Sequence, residues 1–382
     1  MPKLSFNNVA IRAISAAVPT HIQKVDTSVR QDAKFVAQMG IAQRHISLTE
    51  QTALELGYTA IKDALAHVGW QPKDLDLVIF NSQFHDFNVG DSFLLQKYLP
   101  LSPDCIVFDQ IMCCAALPYV LSTACAYLQQ PTIHKAAIIL GDTVWSMYPS
   151  KKELLCANRF IFGDGAAVVL LEQSPEAHPM ELHLYADGTG FQYLFKSQSS
   201  ERNAWRHYDQ FKVPDGNTYG TPELGYSYFY MNGFYLTLFA SKNMSDQIKQ
   251  IWGEHIHDYD YYAFHQGNKQ IVDLLARPLH LPQAKVLTSF EDYGNTNGGS
   301  PLITLCHRLA DNSQPLHIFS ASLGGGLAWG YCDLTLDPGV ILPIQTTDLV
   351  FDELFYQKVE PAPEGTPPSP VSPTENKGLG LN

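Results

Sequence analysis

Four short stretches of the sequence carry groups that could support chemistry on a thiol. Cys114 lies where an apolar, β-rich segment ends and a helical pattern begins. His265 follows an aromatic run that starts at Tyr261, and Asn295 sits in a turn rich in glycine and asparagine. Gly325 is the middle one of three glycines after an apolar segment. A thiol nucleophile needs polar side chains and N–H donors around it, which these stretches could supply.

The residues after Cys114 predict a helix that begins close to it. One helical face is formed by apolar residues at three- and four-residue steps, namely Leu117, Val120, Leu121, Ala124, Tyr127 and Leu128. Pro118 fits only the first turn of a helix, where its missing N–H leaves no bond unmade. Cys114 is therefore expected at a helix N-terminus, which favours a thiolate over a thiol. The alternative is a free cysteine that only fills the core.

The other three stretches have plainer interpretations when each is taken alone. His265 would lie at the carboxyl end of a strand, where open α/β sheets bind ligands, but an isolated histidine is often structural. The turn around Asn295 could be only a turn. The glycines around Gly325 could let an amide bind an oxyanion, or they could form a β-bulge.

Strand and helix patterns alternate along most of the chain. In the first half, the pattern predicts strands at 8–18, 75–81, 136–141 and 166–172 and helices at 53–68 and 92–98. In the second half, it predicts strands at 181–186, 261–264, 316–322 and 334–336 and helices at 234–252 and 270–279. Such alternation is typical of a layered α/β architecture with helices on mostly buried sheets.

Composition shifts suggest three parts. Residues 173–179 contain two prolines and predict a boundary between a first half, 1–175, and a second half, 176–340. Residues 191–225 lack periodicity and predict a long cap, and loops of that length tend to be functional. Residues 341–382 form a predicted C-terminal extension, which is proline-rich and expected to be disordered from about 361.

The overall composition excludes several classes of function. Hydrophobic residues make up 45% and charged residues 16% of the chain, as in a globular protein with a large interior. A net charge of -13 argues against non-specific binding to nucleic acid or to anionic membranes. The seven cysteines are irregularly placed and no pair has C-x-x-C spacing, which indicates reduced thiols. We therefore expect a soluble, cytoplasmic protein that binds neither nucleic acid nor membrane.

Taken together and in order, the four stretches resemble the thiolase-fold condensing enzymes, specifically the type III ketoacyl-acyl carrier protein synthases. The matching motifs are Cys114-Ala115-Ala116-Leu117-Pro118-Tyr119, His265-Gln266-Gly267-Asn268, Tyr293-Gly294-Asn295-Thr296, Leu323 to Gly330, Phe162 to Ala167, and Gly40-Ile41 with Arg44. The resemblance runs from about residue 8 to about residue 337. The predicted cap and the residues after 338 lie outside it.

The resemblance implies an α/β, thiolase-like fold, in which two similar βα halves pack as a five-layered α-β-α-β-α core. It implies that Cys114 holds an acyl group covalently, and that His265 and Asn295 donate hydrogen bonds to a malonyl-type thioester as it loses carbon dioxide. The amides of Cys114 and Gly325 would form the oxyanion hole. The implied reaction is a decarboxylating Claisen condensation to a 3-oxoacyl product, in fatty-acid-like or specialised metabolite biosynthesis, with no cofactor and no metal.

The resemblance also suggests partners. In the family, a tryptophan and an arginine help to hold the adenine end of coenzyme A, whereas Lys34 and Gln38 occupy those positions here. This departure disfavours coenzyme A as the acyl donor and favours an acyl carrier protein in both steps, with Lys34, Lys269 and Arg277 as candidate residues for carrier docking. The expected partner is thus an acyl thioester on acyl carrier protein or coenzyme A. A homodimer is implied, in which Phe87 lies near the pocket of the neighbouring subunit.

Two other functions stay open. An acyltransferase would move the acyl group from Cys114 onto oxygen, nitrogen or sulfur without forming a carbon-carbon bond. The complete set of Cys, His and Asn favours condensation, because a plain transfer has no enolate to stabilise. An inactive scaffold subunit of a condensing heterodimer would be expected to have lost one of these three residues.

Overall fold

A computed structural model describes residues 3–28, 30–48, 50–83, 89–143, 161–196, 218–219 and 229–351 of the chain. In chain order its strands are β1 Leu4–Phe6, β2 Val9–Pro19, β3 Ile22–Lys24, β4 Gln43–His45, β5 Leu77–Asn81, β6 Ile106–Asp109, β7 Lys135–Asp142, β8 Gly165–Gln173, β9 Met180–Ala186, β10 Leu194–Lys196, β11 Thr218–Tyr219, β12 Phe229–Met231, β13 Tyr261–Phe264, β14 Leu316–Gly324, β15 Ala328–Leu336 and β16 Gln345–Thr347.

The α-helices of the described residues are Arg30–Met39, Ala53–Val68, Asp91–Tyr98, Ala116–Tyr127, Gly233–Leu238, Ser245–Trp252, Lys269–Ala276, Phe290–Tyr293 and Ser300–Leu309. A π-helical segment, Phe239–Met244, joins Gly233–Leu238 to Ser245–Trp252. Within the described ranges, no helix has the length and apolar character needed to cross a membrane.

The first large sheet has six strands in the order β16-β2-β8-β7-β5-β6. β5 runs parallel to both of its neighbours, whereas β8 is antiparallel to β2 and to β7. Every residue of β5 is buried. Burial on both faces explains its uninterrupted apolar run, Leu77 to Phe80, which has no polar alternation.

The second large sheet has five strands in the order β1-β9-β15-β14-β13. β13 and β14 are parallel, and the other neighbours are antiparallel. Strands from the two ends of the described chain take part in different sheets. β1 pairs with β9 of the second sheet, and β16 pairs with β2 of the first.

Two helices form the layer between the sheets. Ala116–Tyr127 packs on β5 and β7 on one side and on β9, β14 and β15 on the other, and Ser300–Leu309 lies between β2, β8 and β13. Ala53–Val68 covers β2, β7 and β8. The helices of residues 233–276 cover the second sheet. Trp252 packs edge-on against Phe319 of β14 there, with the two ring centroids 5.0 Å apart. The layers follow the order α-β-α-β-α, as the resemblance implied.

Most predicted elements are confirmed, and the differences are local. The predicted helix at 234–252 is present, but its central turn is π-helical. The strand predicted at 334–336 begins earlier, at Ala328. Residues 1–350 form one compact unit, and the proposed division at residue 175 stays a prediction. The predicted extension from 341 includes β16, whereas the tail from 361 and most of the predicted cap lie outside the described residues.

Candidate active site

Cys114 lies where the last strand of the first sheet leads into the central helix. β6 ends at Asp109, and the chain then forms a 3-10 turn, Cys113–Ala115, that continues directly into helix Ala116–Tyr127. Pro118 is the third residue of that helix, where its missing N–H leaves no hydrogen bond unmade. The predicted location of Cys114 at a helix N-terminus is confirmed.

The sulfur of Cys114 contacts two side-chain amides. Its Sγ lies 3.7 Å from Oδ1 of Asn297, and the side chain of Gln83 forms a hydrogen bond with it. Desolvation raises the pKa of the Cys114 thiol well above its ordinary value, and the hydrogen bond from Gln83 acts in the opposite direction. Contrary to the expectation that the helix N-terminus would favour a thiolate, desolvation together with the neighbouring Cys113 and Asp142 holds this pKa high.

Ser300 fixes the ring of His265, which lies at the carboxyl end of β13 as predicted. The N–H of His265 donates to the carbonyl of Ala321 at 2.8 Å, which extends the pairing of β13 with β14. Nδ1 lies 2.9 Å from Oγ of Ser300, and that oxygen also accepts the N–H of Gln266 at 3.0 Å. Because the oxygen already accepts one hydrogen, the hydroxyl can donate its own to Nδ1. A neutral imidazole then carries its proton on Nε2.

Burial sets the charge of His265. The residue is 7% exposed, and desolvation lowers its pKa to about 4, with the backbone carbonyl of Asn297 acting in the opposite direction. The imidazole is therefore neutral near pH 7. It can donate a hydrogen bond from Nε2 without carrying a positive charge.

Backbone hydrogen bonds hold Asn295 next to the segment before β8. Its N–H donates to the carbonyl of Ile161 at 2.7 Å, and its carbonyl accepts the N–H of Gly163 at 3.1 Å. A Cβ at Gly163 would lie 1.9 Å from the carbonyl oxygen of Tyr293, so this approach requires glycine. Oδ1 of Asn295 accepts the N–H of Asn297 at 2.9 Å. The amide nitrogen is then the end of the side chain available to a ligand.

The glycines after β14 pack against the turn that carries Cys114. A Cβ at Gly324 would lie 2.6 Å from the amide nitrogen of Ala115 and 3.0 Å from that of Cys114. Gly325 follows, and a Cβ there would lie 3.9 Å from Sγ of Cys113. Among the described residues, the N–H groups of Cys114 and Gly325 donate to no backbone carbonyl. Both amides predicted to bind an oxyanion thus belong to neighbouring turns.

Cys114, His265, Asn295 and Gly325 all line one cavity. It encloses about 1250 Å³, part of which is open to solvent. Much of the remaining wall is apolar, formed by Ile161, Phe162, Leu194, Met231, Leu236, Ala240, Met244, Phe264, Ile271, Leu275, Ala321 and Leu323. A few convergent polar groups in a largely apolar cavity suit a reactive thioester that carries a hydrocarbon chain.

Sequence reasoning missed three residues that contact the predicted ones. Asn297 and Ser300 lie within the stretch that contains Asn295, so closeness in sequence was the only signal for them. No sequence signal pointed to Gln83, which follows β5. Its N–H donates to Asp142 at 2.7 Å, and this contact holds it beside the cavity.

The structure separates the candidate docking residues from the cavity wall. Lys34 on helix Arg30–Met39, Lys269 and Arg277 are exposed, and the two helices that carry Lys34 and Lys269 pack against each other. Lys269 forms an ion pair with Asp273, four residues later on its own helix. Phe87 lies outside the described residues.

Comparisons with known proteins agree with this geometry. The family model of 3-oxoacyl-[acyl-carrier-protein] synthase III matches residues 108–188, and the model of its C-terminal part matches residues 253–335. The first span contains Cys114, and the second contains His265, Asn295 and Gly325.

Full-length relatives extend the match. The chain is 27% identical over 317 residues to a β-ketoacyl-[acyl-carrier-protein] synthase III of Prochlorococcus marinus, covering 81% of this chain and 88% of the relative. It is 28% identical over 314 residues to the synthase III of Neisseria gonorrhoeae, covering 81% and 91%. The crystal structure of a 3-oxoacyl-(acyl-carrier protein) synthase of Burkholderia xenovorans superimposes with a TM-score of 0.78 at 23% identity, covering 91% of this chain and 99% of that one. The chain is thus similar, over most of its length, to type III 3-oxoacyl-[acyl-carrier-protein] synthases, and it has the thiolase-like fold of their solved structures.

Proposed function

We propose that the protein is a condensing acyltransferase that joins an acyl thioester, held on Cys114, to a malonyl-type thioester with loss of carbon dioxide. The observation that carries this proposal is that a cysteine, a neutral histidine and an asparagine amide line the same cavity. A plain acyl transfer needs the cysteine and an oxyanion site, but it has no enolate for His265 and Asn295 to stabilise.

In the first half-reaction, the sulfur of Cys114 attacks the carbonyl of the acyl donor. The amides of Cys114 and Gly325 bind the oxyanion of the tetrahedral intermediate, a role worth about 3 kcal/mol per donor in other enzymes. The carbon-sulfur bond to the donor then breaks. The departing thiol takes the proton that Cys114 loses, so the products are the acyl-enzyme and a free carrier thiol.

In the second half-reaction, the malonyl-type thioester loses its carboxylate as carbon dioxide. The electron pair of the broken bond moves onto the thioester oxygen, where Nε2 of His265 and Nδ2 of Asn295 each donate a hydrogen bond to the enolate. The enolate carbon attacks the acyl group on Cys114. The sulfur leaves as a thiolate, and the product is a 3-oxoacyl thioester.

The acyl donor is a thioester of acyl carrier protein or coenzyme A. The exposed cations Lys34, Lys269 and Arg277 are proposed to attract the acidic surface of a carrier protein. We further propose a homodimer and a cytoplasmic location that keeps the thiols reduced.

Intact-mass measurement after incubation with a panel of acyl thioesters tests the nucleophile. One acyl adduct is expected on the native chain and on Cys113→Ala, a matched control at the neighbouring thiol, and none is expected on Cys114→Ala. An adduct that persists in Cys114→Ala would show that the assignment is wrong.

Addition of a malonyl carrier protein then separates the candidate functions. Condensation releases one carbon dioxide for each acyl group that leaves the enzyme. Loss of the acyl group without carbon dioxide would indicate an acyltransferase to another acceptor. A native chain that forms no adduct with any donor would indicate a scaffold subunit.

A further inference from the structure

Asn297 contacts each of the three predicted catalytic residues. It is 2% exposed and lies just before helix Ser300–Leu309. Its N–H donates to Oδ1 of Asn295 at 2.9 Å. Its backbone carbonyl interacts with the imidazole ring of His265 and raises the pKa of that ring. Its side-chain Oδ1 lies 3.7 Å from Sγ of Cys114. Asn297 also adopts a left-handed backbone conformation, with φ of 51°, which asparagine tolerates better than most residues.

The other end of this side chain has an unmet hydrogen-bonding need. Nδ2 of Asn297 is buried and has no hydrogen-bond partner among the described residues. A buried donor without an acceptor is rare in folded proteins and calls for an explanation. Nδ2 of Asn81 is in the same condition, and it lies 3.4 Å from where a Cβ on Gly298 would be. Two amide donors without a partner among the described residues thus lie at Asn297 and beside its neighbour Gly298.

The ionisation of Cys114 changes whether its sulfur can bind the oxygen or the nitrogen of a side-chain amide. A thiol donates its hydrogen to an amide oxygen, as in the present contact, whereas a thiolate can only accept a hydrogen. Rotation of a side-chain amide by about half a turn exchanges its oxygen and nitrogen at nearly constant shape. The same residue can therefore serve both states of the sulfur.

We propose that Asn297 is an additional catalytic residue that stabilises the thiolate of Cys114 by rotating its amide so that Nδ2 donates to Sγ. The proposal rests on the proposed function, because the thiolate is the group that leaves when the enolate attacks the acyl-enzyme. Gln83 supplies a second amide to the same sulfur, and its own Nε2 lies 3.4 Å from Oδ2 of Asp142. Without such donors, desolvation and the negative charge of Asp142 would hold the sulfur in the thiol form.

Two substitutions remove the donor without requiring a new backbone conformation. Asn297→Gly deletes the amide, and glycine adopts the left-handed conformation freely. Asn297→Asp keeps the shape of the side chain but replaces the donor with a carboxylate oxygen. Both are best made in a Cys113→Ala background, so that Cys114 is the reactive thiol in the cavity.

The readout is the rate of alkylation of Cys114 by iodoacetamide across pH 6 to 10, followed by intact mass. We expect the rate at each pH to fall in both variants and to fall further in Asn297→Asp. At pH 7.5 the rate should fall about tenfold or more, as for loss of one hydrogen bond to a charged group. Profiles of both variants that coincide with the parent, with unchanged thermal unfolding, would overturn the proposal. Alkylation needs no malonyl substrate, so this result is independent of whether condensation occurs.

Discussion

Oγ of Ser300 lies 2.9 Å from Nδ1 of His265 and accepts the N–H of Gln266, so its own hydroxyl hydrogen can be donated to Nδ1, which leaves the imidazole proton on Nε2. The two residues are 35 positions apart, on different elements of the core. A neutral histidine that donates a hydrogen bond from Nε2 suits an enolate oxygen, because it keeps its proton and need not be reprotonated between turnovers.

Replacement of Ser300 by alanine tests this relationship. In Ser300→Ala, Nδ1 loses its donor and the imidazole can place its proton on either nitrogen. We expect carbon dioxide release to slow about tenfold, while acylation of Cys114 changes less than twofold, since acylation does not use the Nε2 donor. The measurement is the pair of single-turnover rates with an acyl donor and a malonyl carrier protein. Equal slowing of both steps would show that Ser300 only supports the fold.

The low pKa of His265 predicts a loss of stability in acid. The unfolded histidine titrates near 6.5 and the folded one at about 4. Between these values the unfolded state binds more protons, so stability is fully present above pH 6.5 and is lost as the pH falls toward 4. The full difference corresponds to about 3 kcal/mol. Urea unfolding at pH 7 and pH 4.5 should show a smaller drop in His265→Gln than in the native chain. Equal drops would contradict the assignment.

Gly324→Ala should damage the oxyanion site. The new Cβ would overlap the amide nitrogens of Ala115 and Cys114, so one of the two turns must move. We expect acylation of Cys114 to slow about a hundredfold, as for loss of one oxyanion donor. Gly188→Ala is the control, because a Cβ there meets nothing within 4 Å. Rapid-quench measurement of adduct formation compares the two, and a similar rate in both variants would place the oxyanion site elsewhere.

Charge reversal tests the proposed docking residues. The double variant Lys34→Glu, Lys269→Glu should raise KM for a malonyl carrier protein about tenfold and leave KM for malonyl-coenzyme A nearly unchanged. The effect should shrink as salt is added. Lys249→Glu, at another exposed lysine, is the control. A similar rise in KM for both malonyl donors would instead point to a change in the cavity.

Local sequence signals predicted the elements that depend on local causes. Helix Ala53–Val68 has the predicted ends, because Thr52 and Glu55 form a capping box and Gly69 closes the helix in a left-handed conformation. The buried strands were likewise recognisable from unbroken apolar runs. The π-helical turn at Phe239–Met244 was not, since it differs from an α-helix by one hydrogen-bond step rather than by composition.

The chemistry of the site depended on contacts that sequence alone does not reveal. The order of the motifs located Cys114, His265 and Asn295, and the structure places them around one cavity. The pKa of the Cys114 thiol was predicted in the wrong direction, because the helix terminus is visible in sequence and the degree of desolvation is not. The contact of Cys114 with Asn297 spans 183 positions and no local pattern encodes it.

The exchange of end strands between the two sheets limits how this molecule can be divided. A fragment that stops near residue 175 would keep β2 but lose its partner β16, and it would carry β1 without the strand that β1 completes. The complementary fragment would start without the strand that covers the outer edge of β9. Separately expressed halves should therefore associate in order to fold. Removal of β1, or of the chain from β16 onward, would weaken the sheet formed mainly by the distant part of the chain.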